Sequence, residues 1–311
     1  MNPLLLVQGS NHAPELDLLF GALLLITAAV LLLAFGLIWT YVIRYRASNP
    51  LDRGGLAQKT WRMEVAWTTA TLLVFFGLFI WGADLYTRLF LPPEDTLKVW
   101  VVGKQWMWKV QHPGGQREIN ALHVPVNRPV QLIMTSEDVI HDFFIPGFRI
   151  KRDVLPGRYT TLWFRADRLG SYHLFCAQFC GTDHSRMIGE VIVMEPADFD
   201  IWLAENGGGA TLAEAGQGLF IRYGCSGCHG GRSSVHAPPL EGVYGSPVPL
   251  SDGSVVVADD RYIHDSILYP GAQVAAGYAP LMPSFAGQII EEDLVKLVAY
   301  IRSLAGARPV P

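Results

Sequence analysis

Disulfide scaffolding is excluded at the outset. Only four cysteines occur in 311 residues, in two close pairs, Cys176/Cys180 and Cys225/Cys228. None is left to staple the rest of the chain in an oxidising compartment. Charge is also scarce: 17% of residues are Asp, Glu, Lys or Arg, against about 25% in ordinary soluble proteins. The net charge of -4 is too small to make nucleic acid a partner. The shortage is uneven, because no charged residue lies between Leu18 and Ile43 or between Val65 and Ala83. A helix needs roughly 20 apolar residues to cross a bilayer. Buried core helices are the alternative, but such helices rarely stay free of charge for so long.

Between the two runs lie Arg44, Arg46, Arg53, Lys59 and Arg62, opposed by Asp52 and Glu64. The positive-inside rule puts that loop in the cytoplasm and both termini outside. Trp39, Tyr41, Trp61, Trp67 and Trp81 stand near the span ends, as interfacial aromatics do. The first run starts late, is long and lacks a basic leader, so it reads as a retained anchor rather than a cleaved signal peptide.

The chain is long enough for two or three compact units. The pattern changes near Pro92-Pro93, where period-two alternation predicts strands around 97–101, 129–134, 160–164 and 189–194. Turns such as His112-Pro113-Gly114-Gly115 and Leu155-Pro156-Gly157 separate them, suggesting a β-sandwich or barrel up to Pro196. A short helix is expected over 196–205, then a flexible linker at Asn206-Gly207-Gly208-Gly209-Ala210. Helical patterning returns at 212–223 and 291–304, where Leu294, Leu297, Val298 and Ile301 share one face. The expected domains are thus 1–91 (N-terminal segment and hairpin), 92–196 (all-β), 197–210 (short helix and linker) and 211–311 (all-α).

The first cysteine pair sits in C-A-Q-F-C-G-T-D-H-S-R-M, Cys176 to Met187, and His141 lies upstream. Thiolates, imidazoles and a thioether select copper over hard cations. A mononuclear blue-copper site needs one Cys; two thiolates can bridge two copper ions, with His141 and His184 each capping one and Met187 completing one. On spacing alone, a Cys176–Cys180 disulfide or a zinc site stays open, although Met is a poor zinc ligand. The second pair is Cys225-Ser226-Gly227-Cys228-His229, the C-x-x-C-H pattern that attaches haem covalently and supplies an axial imidazole. A sixth ligand could be Met282, His236 or His264. His112, His123 and His173 stand outside any motif and read as structural or surface residues.

The copper-type run resembles the dinuclear CuA loop of cytochrome c oxidase subunit II, C-x-x-x-C-x-x-x-H-x-x-M. Gly103-Lys104-Gln105-Trp106-Met107-Trp108 is similar to that family's G-H-Q-W-Y-W. His141 to Arg158 resembles its H-x-F-x-x-P…K-x-D-x-x-P-G-R, and Glu64-Val65-Ala66-Trp67-Thr68 its E-x-x-W-T at the second span. The resemblance covers about residues 15 to 196 and implies a cupredoxin-like barrel behind a two-helix membrane hairpin. It implies copper ligation by His141, Cys176, the Gln178 carbonyl, Cys180, His184 and Met187. It also implies that electrons arrive at Trp106 and that Glu64 stands at the mouth of a proton channel. Many members carry Glu where this chain has Gln178, and that carboxylate helps hold magnesium; an amide is a weaker ligand for a hard cation, so magnesium is left open.

Residues 211 to 306 resemble a class I cytochrome c domain, with G-x-x-L-F-x-x-x-G-C-x-x-C-H at Gly216 to His229, A-P-P-L at Ala237 to Leu240, and Met282-Pro283-Ser284-Phe285. That likeness implies thioether bonds at Cys225 and Cys228, His229 and Met282 as axial ligands, and the Pro238 carbonyl orienting His229.

Together the resemblances imply an electron-transfer subunit of a terminal oxidase. Haem c would pass electrons to CuA and on to subunit I, for oxygen reduction coupled to proton translocation. Further expected partners are subunit III, a cytochrome c or quinol–cytochrome c reductase donor, and membrane lipid. The expected location is the bacterial cytoplasmic membrane, crossed twice, with both redox domains on the periplasmic side. An equivalent subunit of a CuA-type nitric oxide reductase, or a membrane-anchored copper carrier or redox sensor, are the alternatives; a quinol oxidase subunit would lack the copper ligands. Residues 95–195 carry 12 basic and 10 acidic side chains, and residues 211–311 carry 6 and 9. A mildly acidic haem domain docking on a mildly basic copper domain is the resulting expectation, with transfer between them only weakly dependent on salt.

Overall fold

The computed structural model describes residues 7–50, 60–207, 210–230, 235 and 237–306. His12–Leu91 form one compact unit and the rest of the chain another. In the first, α1 (Ala13–Arg44) and α2 (Trp61–Phe90) have 32 and 30 residues. At 1.5 Å rise they are about 48 and 45 Å long, more than a hydrocarbon core requires. Pro14 suits the first turn of α1, where its missing N–H is no loss. The apolar stretches are not buried in protein, and Leu32, Phe35, Leu72 and Phe75 all point outward. Such surface is untenable in water but suits lipid. Arg88 near the end of α2 pairs with Glu15 in the first turn of α1 at 2.9 Å, and also with Asp84. Arg53, Lys59 and Asp52 of the expected cytoplasmic loop lie outside the described residues.

The second unit contains the cupredoxin-like barrel. Its strands are β1 (Leu97–Lys104), β2 (Met107–Gln111), β3 (Arg117–Ile119), β4 (Ala121–Pro125), β5 (Pro129–Ser136), β6 (His141–Ile145), β7 (Ile150–Val154), β8 (Thr160–Arg165), β9 (Gly170–Cys176) and β10 (Ile188–Met194). They form two five-stranded sheets, β3-β2-β1-β5-β8 and β4-β10-β9-β6-β7. β1–β5 and β4–β10 pair in parallel, which requires crossings between the sheets. Tyr172, Leu174 and Cys176 alternate inward along β9, the period expected of a strand with one buried face. Val99, Val101, Trp108, Leu132, Phe143 and Phe164 fill the space between the sheets. Burying such side chains stabilises by about 1.5–3 kcal/mol each. Residues just before α1 join the barrel: Gly9 and Asn11 exchange backbone bonds with Gly147, Arg165 and Asp167 at 2.9–3.0 Å.

The remaining elements are α3 (Pro196–Asn206), α4 (Leu212–Arg222), α5 (Ser226–His229), β11 (Pro247–Pro249), β12 (Val255–Val257), α6 (Asp260–Leu268) and α7 (Glu291–Ser303). Thr211 and Glu214 form a reciprocal capping box on α4, and Asp259 caps α6 by accepting from the Tyr262 N–H at 2.8 Å. α4 crosses α7 at Gly216, where a Cβ would stand 2.0 Å from the Lys296 carbonyl oxygen. Only glycine permits that approach. Leu219, Phe220, Ile263, Ile267, Leu294, Leu297, Val298 and Ile301 form the core around the crossing.

The helical region lies against the outer face of β1 and β5. Trp100 and Ile133 pack with Leu212, Val295 and Ala299, and the Arg302 guanidinium sits 4.7 Å from the Trp100 ring centroid. Lys109 reaches Glu292 at 2.6 Å and Glu137 at 2.9 Å. The contact is thus centred on apolar packing with an ion pair beside it, a more specific basis than the difference in net charge. α6 is a helix that the sequence pattern does not announce: it is short, and a histidine, His264, occupies one of the four positions of its buried face. β6 and β7 escape for a similar reason, since His141-Asp142 and Lys151-Arg152-Asp153 break the alternation.

Candidate copper and haem sites

β6 and β9 pair in register, Phe143 opposite Cys176. This brings His141, at the start of β6, beside Cys176, at the end of β9. The loop is closed at its base by Cys176 N–H donating to Met187 O at 3.2 Å and Ala177 N–H to Asp142 O at 3.0 Å. Within it Cys176 Sγ lies 3.9 Å from His141 Nδ1, 3.8 Å from Cys180 Sγ and 3.2 Å from the Gln178 carbonyl oxygen. Cys180 Sγ lies 3.4 Å from His184 Nδ1 and 3.8 Å from Met187 Sδ. A disulfide needs about 2.05 Å between sulfurs, so the cysteines are unbridged. A metal about 2.3 Å from a thiolate can touch two sulfurs this far apart, with one ion on each side. The donor set therefore fits a pair of soft metal ions. Gly103 makes room for the histidine, since a Cβ there would be 2.9 Å from His141 Cδ2.

The thiols respond unequally to their surroundings. Burial disfavours ionisation of Cys176, yet hydrogen bonds from His141 and from the Asp142 and Gln178 backbone set outweigh it and hold the thiol below its usual range. Burial and the neighbouring Cys176 thiolate push Cys180 up to about 12. The metal-free pair retains a proton that metal binding must release.

Two groups given no role from sequence complete this site. Asp138 Oδ1 lies 2.9 Å from His141 Nε2, and Oδ2 accepts from the Gln105 N–H at 2.8 Å. This leaves His141 Nδ1 facing the sulfurs, the usual arrangement for a carboxylate that orients a ligating imidazole. Burial works against the Asp138 charge, but the Gln105 N–H and His141 overcome it and keep the carboxyl below the ordinary range. The Gln105 side chain donates to Cys180 O at 2.7 Å. Trp106 follows it, half-buried, with its ring beside Gly181 of the loop. Position i-3 from a histidine carries no sequence signal of its own; only the fold reveals Asp138.

The second site is an apolar cavity of about 1370 Å³, its open mouth included. Cys225, Cys228 and His229 form one wall, and Met282 stands among the lining residues. His229 Nδ1 is 3.0 Å from the Pro238 carbonyl oxygen, which makes Nδ1 the donor and leaves Nε2 available as a ligand. Tyr223, Ile263, Ile267, Leu297 and Phe285 supply the greasy walls a porphyrin needs. Of the rival sixth ligands, His264 does not line the cavity: it is fully buried between Asp265 and Glu291. His236 lies outside the described residues.

Glu64 sits in the first turn of α2, exposed, and accepts from the Thr60 hydroxyl. His112 and His123 both contact Glu118, at 2.8 Å for His112, beneath the Trp202 ring. His173 is an exposed residue of β9 next to Phe175.

Comparison with known proteins relates both parts of the chain to known families. Residues 116–195 match the family model of the cytochrome c oxidase subunit II periplasmic domain, and residues 213–305 that of cytochrome c. Cytochrome c oxidase subunit 2 of Thermostichus vulcanus is 30% identical over 258 residues, covering 66% of this chain and 79% of that one. The subunit 2 of Alkalihalophilus pseudofirmus is 25% identical over 300 residues, covering 90% and 84%. The crystal structure of the periplasmic domain of subunit II of cytochrome oxidase of Bradyrhizobium japonicum is 31% identical, covers 37% of this chain and 96% of that one, and has a TM-score of 0.36. The subunit II family implies copper and the cytochrome c family implies haem. The two apolar helices make this a membrane-anchored protein with a periplasmic domain. The chain belongs to the cytochrome c oxidase subunit 2 family and carries a cytochrome c domain at its C-terminal end.

Proposed function

We propose that this subunit accepts electrons at haem c, passes them to a dinuclear CuA centre and delivers them to subunit I. There oxygen would be reduced to water with proton translocation. The observation that carries the reading is the presence of both donor sets in one compact unit: the five-residue sulfur and imidazole cluster, and the apolar cavity lined by Cys225, Cys228, His229 and Met282. Haem c would be held by Cys225 and Cys228, with His229 and Met282 on the iron and Pro238 fixing His229. Copper would be held by His141, Cys176, the Gln178 carbonyl, Cys180, His184 and Met187. Bound there, the two metals supply reversible one-electron chemistry. The protein's own part is to hold the donors rigid: Asp138 orients His141, and Gln105 ties down the loop at Cys180.

In this reading the domains are 1–91, 92–196, 197–210 and 211–311, and both termini lie on the periplasmic side of the bacterial cytoplasmic membrane. The backbone bonds from Gly9 and Asn11 to the barrel support that topology, because they put the segment before α1 on the same side as the barrel that follows α2. Subunits I and III, lipid, and a cytochrome c or quinol–cytochrome c reductase donor are the assigned partners. Trp106 is assigned to receive electrons from an external donor and Glu64 to the mouth of the proton channel. Gln178 leaves magnesium without its carboxylate ligand.

The test is rapid mixing of the purified complex with reduced cytochrome c, followed optically. Oxidation of haem c in step with CuA reduction, and consumption of oxygen, is the expected result. Turnover of nitric oxide instead of oxygen would move the chain to a reductase complex. Copper that passes freely to a chelator would make it a carrier.

A further inference from the structure

The face that joins the two domains contains a feature that stability does not explain. Tyr159, in the turn before β8 of the barrel, projects its ring to 4.6 Å from the ring of His264 on α6. His264 is fully buried, with Nδ1 3.0 Å from Asp265 and Nε2 3.4 Å from Glu291. The Tyr159 hydroxyl, His264 Nε2 and Glu291 Oε2 are all buried without a well-aligned hydrogen bond. A phenylalanine at 159 would fill the same space without burying a hydroxyl that has no hydrogen-bond partner.

The position of this ring pair suggests another role. α6 is a single helix separating the interface from the haem cavity. Ile263, Ser266 and Ile267 face the cavity, and His264 faces Tyr159. On the barrel side the peptide of Tyr159 runs directly into Thr160, whose hydroxyl donates to the Asp153 carbonyl at 2.7 Å. The next residue, Val154, pairs in register with His141, a residue of the candidate copper donor set. Tunnelling weakens steeply with distance, and more steeply across gaps than along bonds. A chain of ring contact, peptide and short hydrogen bond therefore favours this crossing over a jump through loosely packed side chains. The docked face of the helical domain meets Trp100, Ile133 and Tyr159, whereas Trp106 stands against the copper loop.

We infer that Tyr159 and His264 form the crossing by which an electron passes between the haem domain and the copper domain, and that Trp106 is left to external donors. The inference rests on the relay reading above. One electron moves: the haem iron is oxidised, the copper pair is reduced, no bond forms, and Tyr159 keeps its proton. Tyr159 is a positioning residue, since it touches neither metal.

The test uses the full-length subunit in its complex, with haem c reduced by a light-activated ruthenium reductant and transfer to CuA followed optically. Y159L should slow transfer about tenfold or more, and Y159F, which restores the ring, should stay within about twofold of wild type. The reduction potentials of both centres and the hydrogen-exchange protection of α7 should be unchanged, which a merely structural defect would not allow. If Y159L exposes α7, T160V removes the bond to Asp153 without touching the interface and should still slow transfer. Wild-type rates in both Y159L and T160V with α7 protected, or a rate lost only in W106L, would overturn the inference. Absence of any haem-to-copper transfer in the wild-type complex would instead overturn the relay reading.

Discussion

Replacing Asp138 by asparagine isolates what the carboxylate does for the copper donors. Asp138 takes four contacts: His141 Nε2 at 2.9 Å, the N–H groups of Gln105 and Val139 at 2.8 and 2.7 Å, and the Ser136 hydroxyl at 3.3 Å. Both of its oxygens therefore face donors. An asparagine has only one acceptor oxygen, so D138N sets its NH2 against either His141 Nε2–H or the Gln105 N–H. A buried clash of that kind costs about 1–3 kcal/mol. The Asp138 side chain is 25% exposed, so water relieves part of the cost. Loss of a carboxylate behind a ligating histidine typically weakens metal binding 10- to 100-fold. The exposure places D138N near the lower end, about tenfold, or about 1.4 kcal/mol. Competition with a copper chelator gives the affinity, and electron paramagnetic resonance reports whether the histidine has turned. An affinity and spectrum identical to wild type would refute the assignment of Asp138 as the group that orients His141.

Three further outcomes follow from the packing and charge of the second unit. G216V forces a side chain into the Lys296 backbone, so it should destabilise the cytochrome c domain by about 1–3 kcal/mol or more and lower the yield of attached haem, read by denaturation and haem staining. Glu118 is desolvated, which raises its pKa, but hydrogen bonds from His112 and His123 win and lower it from 4.5 to about 2. A depressed carboxyl stabilises the fold above its unfolded value and loses that contribution as pH falls, so up to about 3 kcal/mol should disappear between pH 4.5 and 2. Thermal melting of E118Q should lack that acid slope. Because the domain contact is centred on Trp100, Ile133, Val295 and Ala299, haem-to-copper transfer should change less than about twofold between low and physiological salt. A steep salt dependence would mean that the Lys109–Glu292 pair carries the docking.

The candidate ligands were legible because ligands must be particular residue types at particular spacings. Cys176, Cys180, His184 and Met187 lie in one loop, and C-x-x-C-H is contiguous, so no folding was needed to group them. The hairpin was legible from the absence of charge. Asp138 and Gln105 were hidden because their roles depend on β1, β5 and β6 converging on one end of the barrel. Tyr159 and His264 were hidden for a stronger reason, since their contact joins residues 105 positions apart across two domains. Six of the ten barrel strands escaped the alternation test. Several are very short, and others carry charged residues at the barrel end or on the solvent face. α6 escaped because nine residues are a short window and one of its four buried positions is a histidine, which does not read as apolar.

On this reading one chain holds haem c and a pair of electron-sharing coppers. The most direct test is metal and haem analysis with electron paramagnetic resonance on the purified full-length protein. Two coppers per haem, with hyperfine structure from one electron shared by both coppers, is the predicted result. A single copper, zinc in its place, or a Cys176–Cys180 disulfide would contradict it.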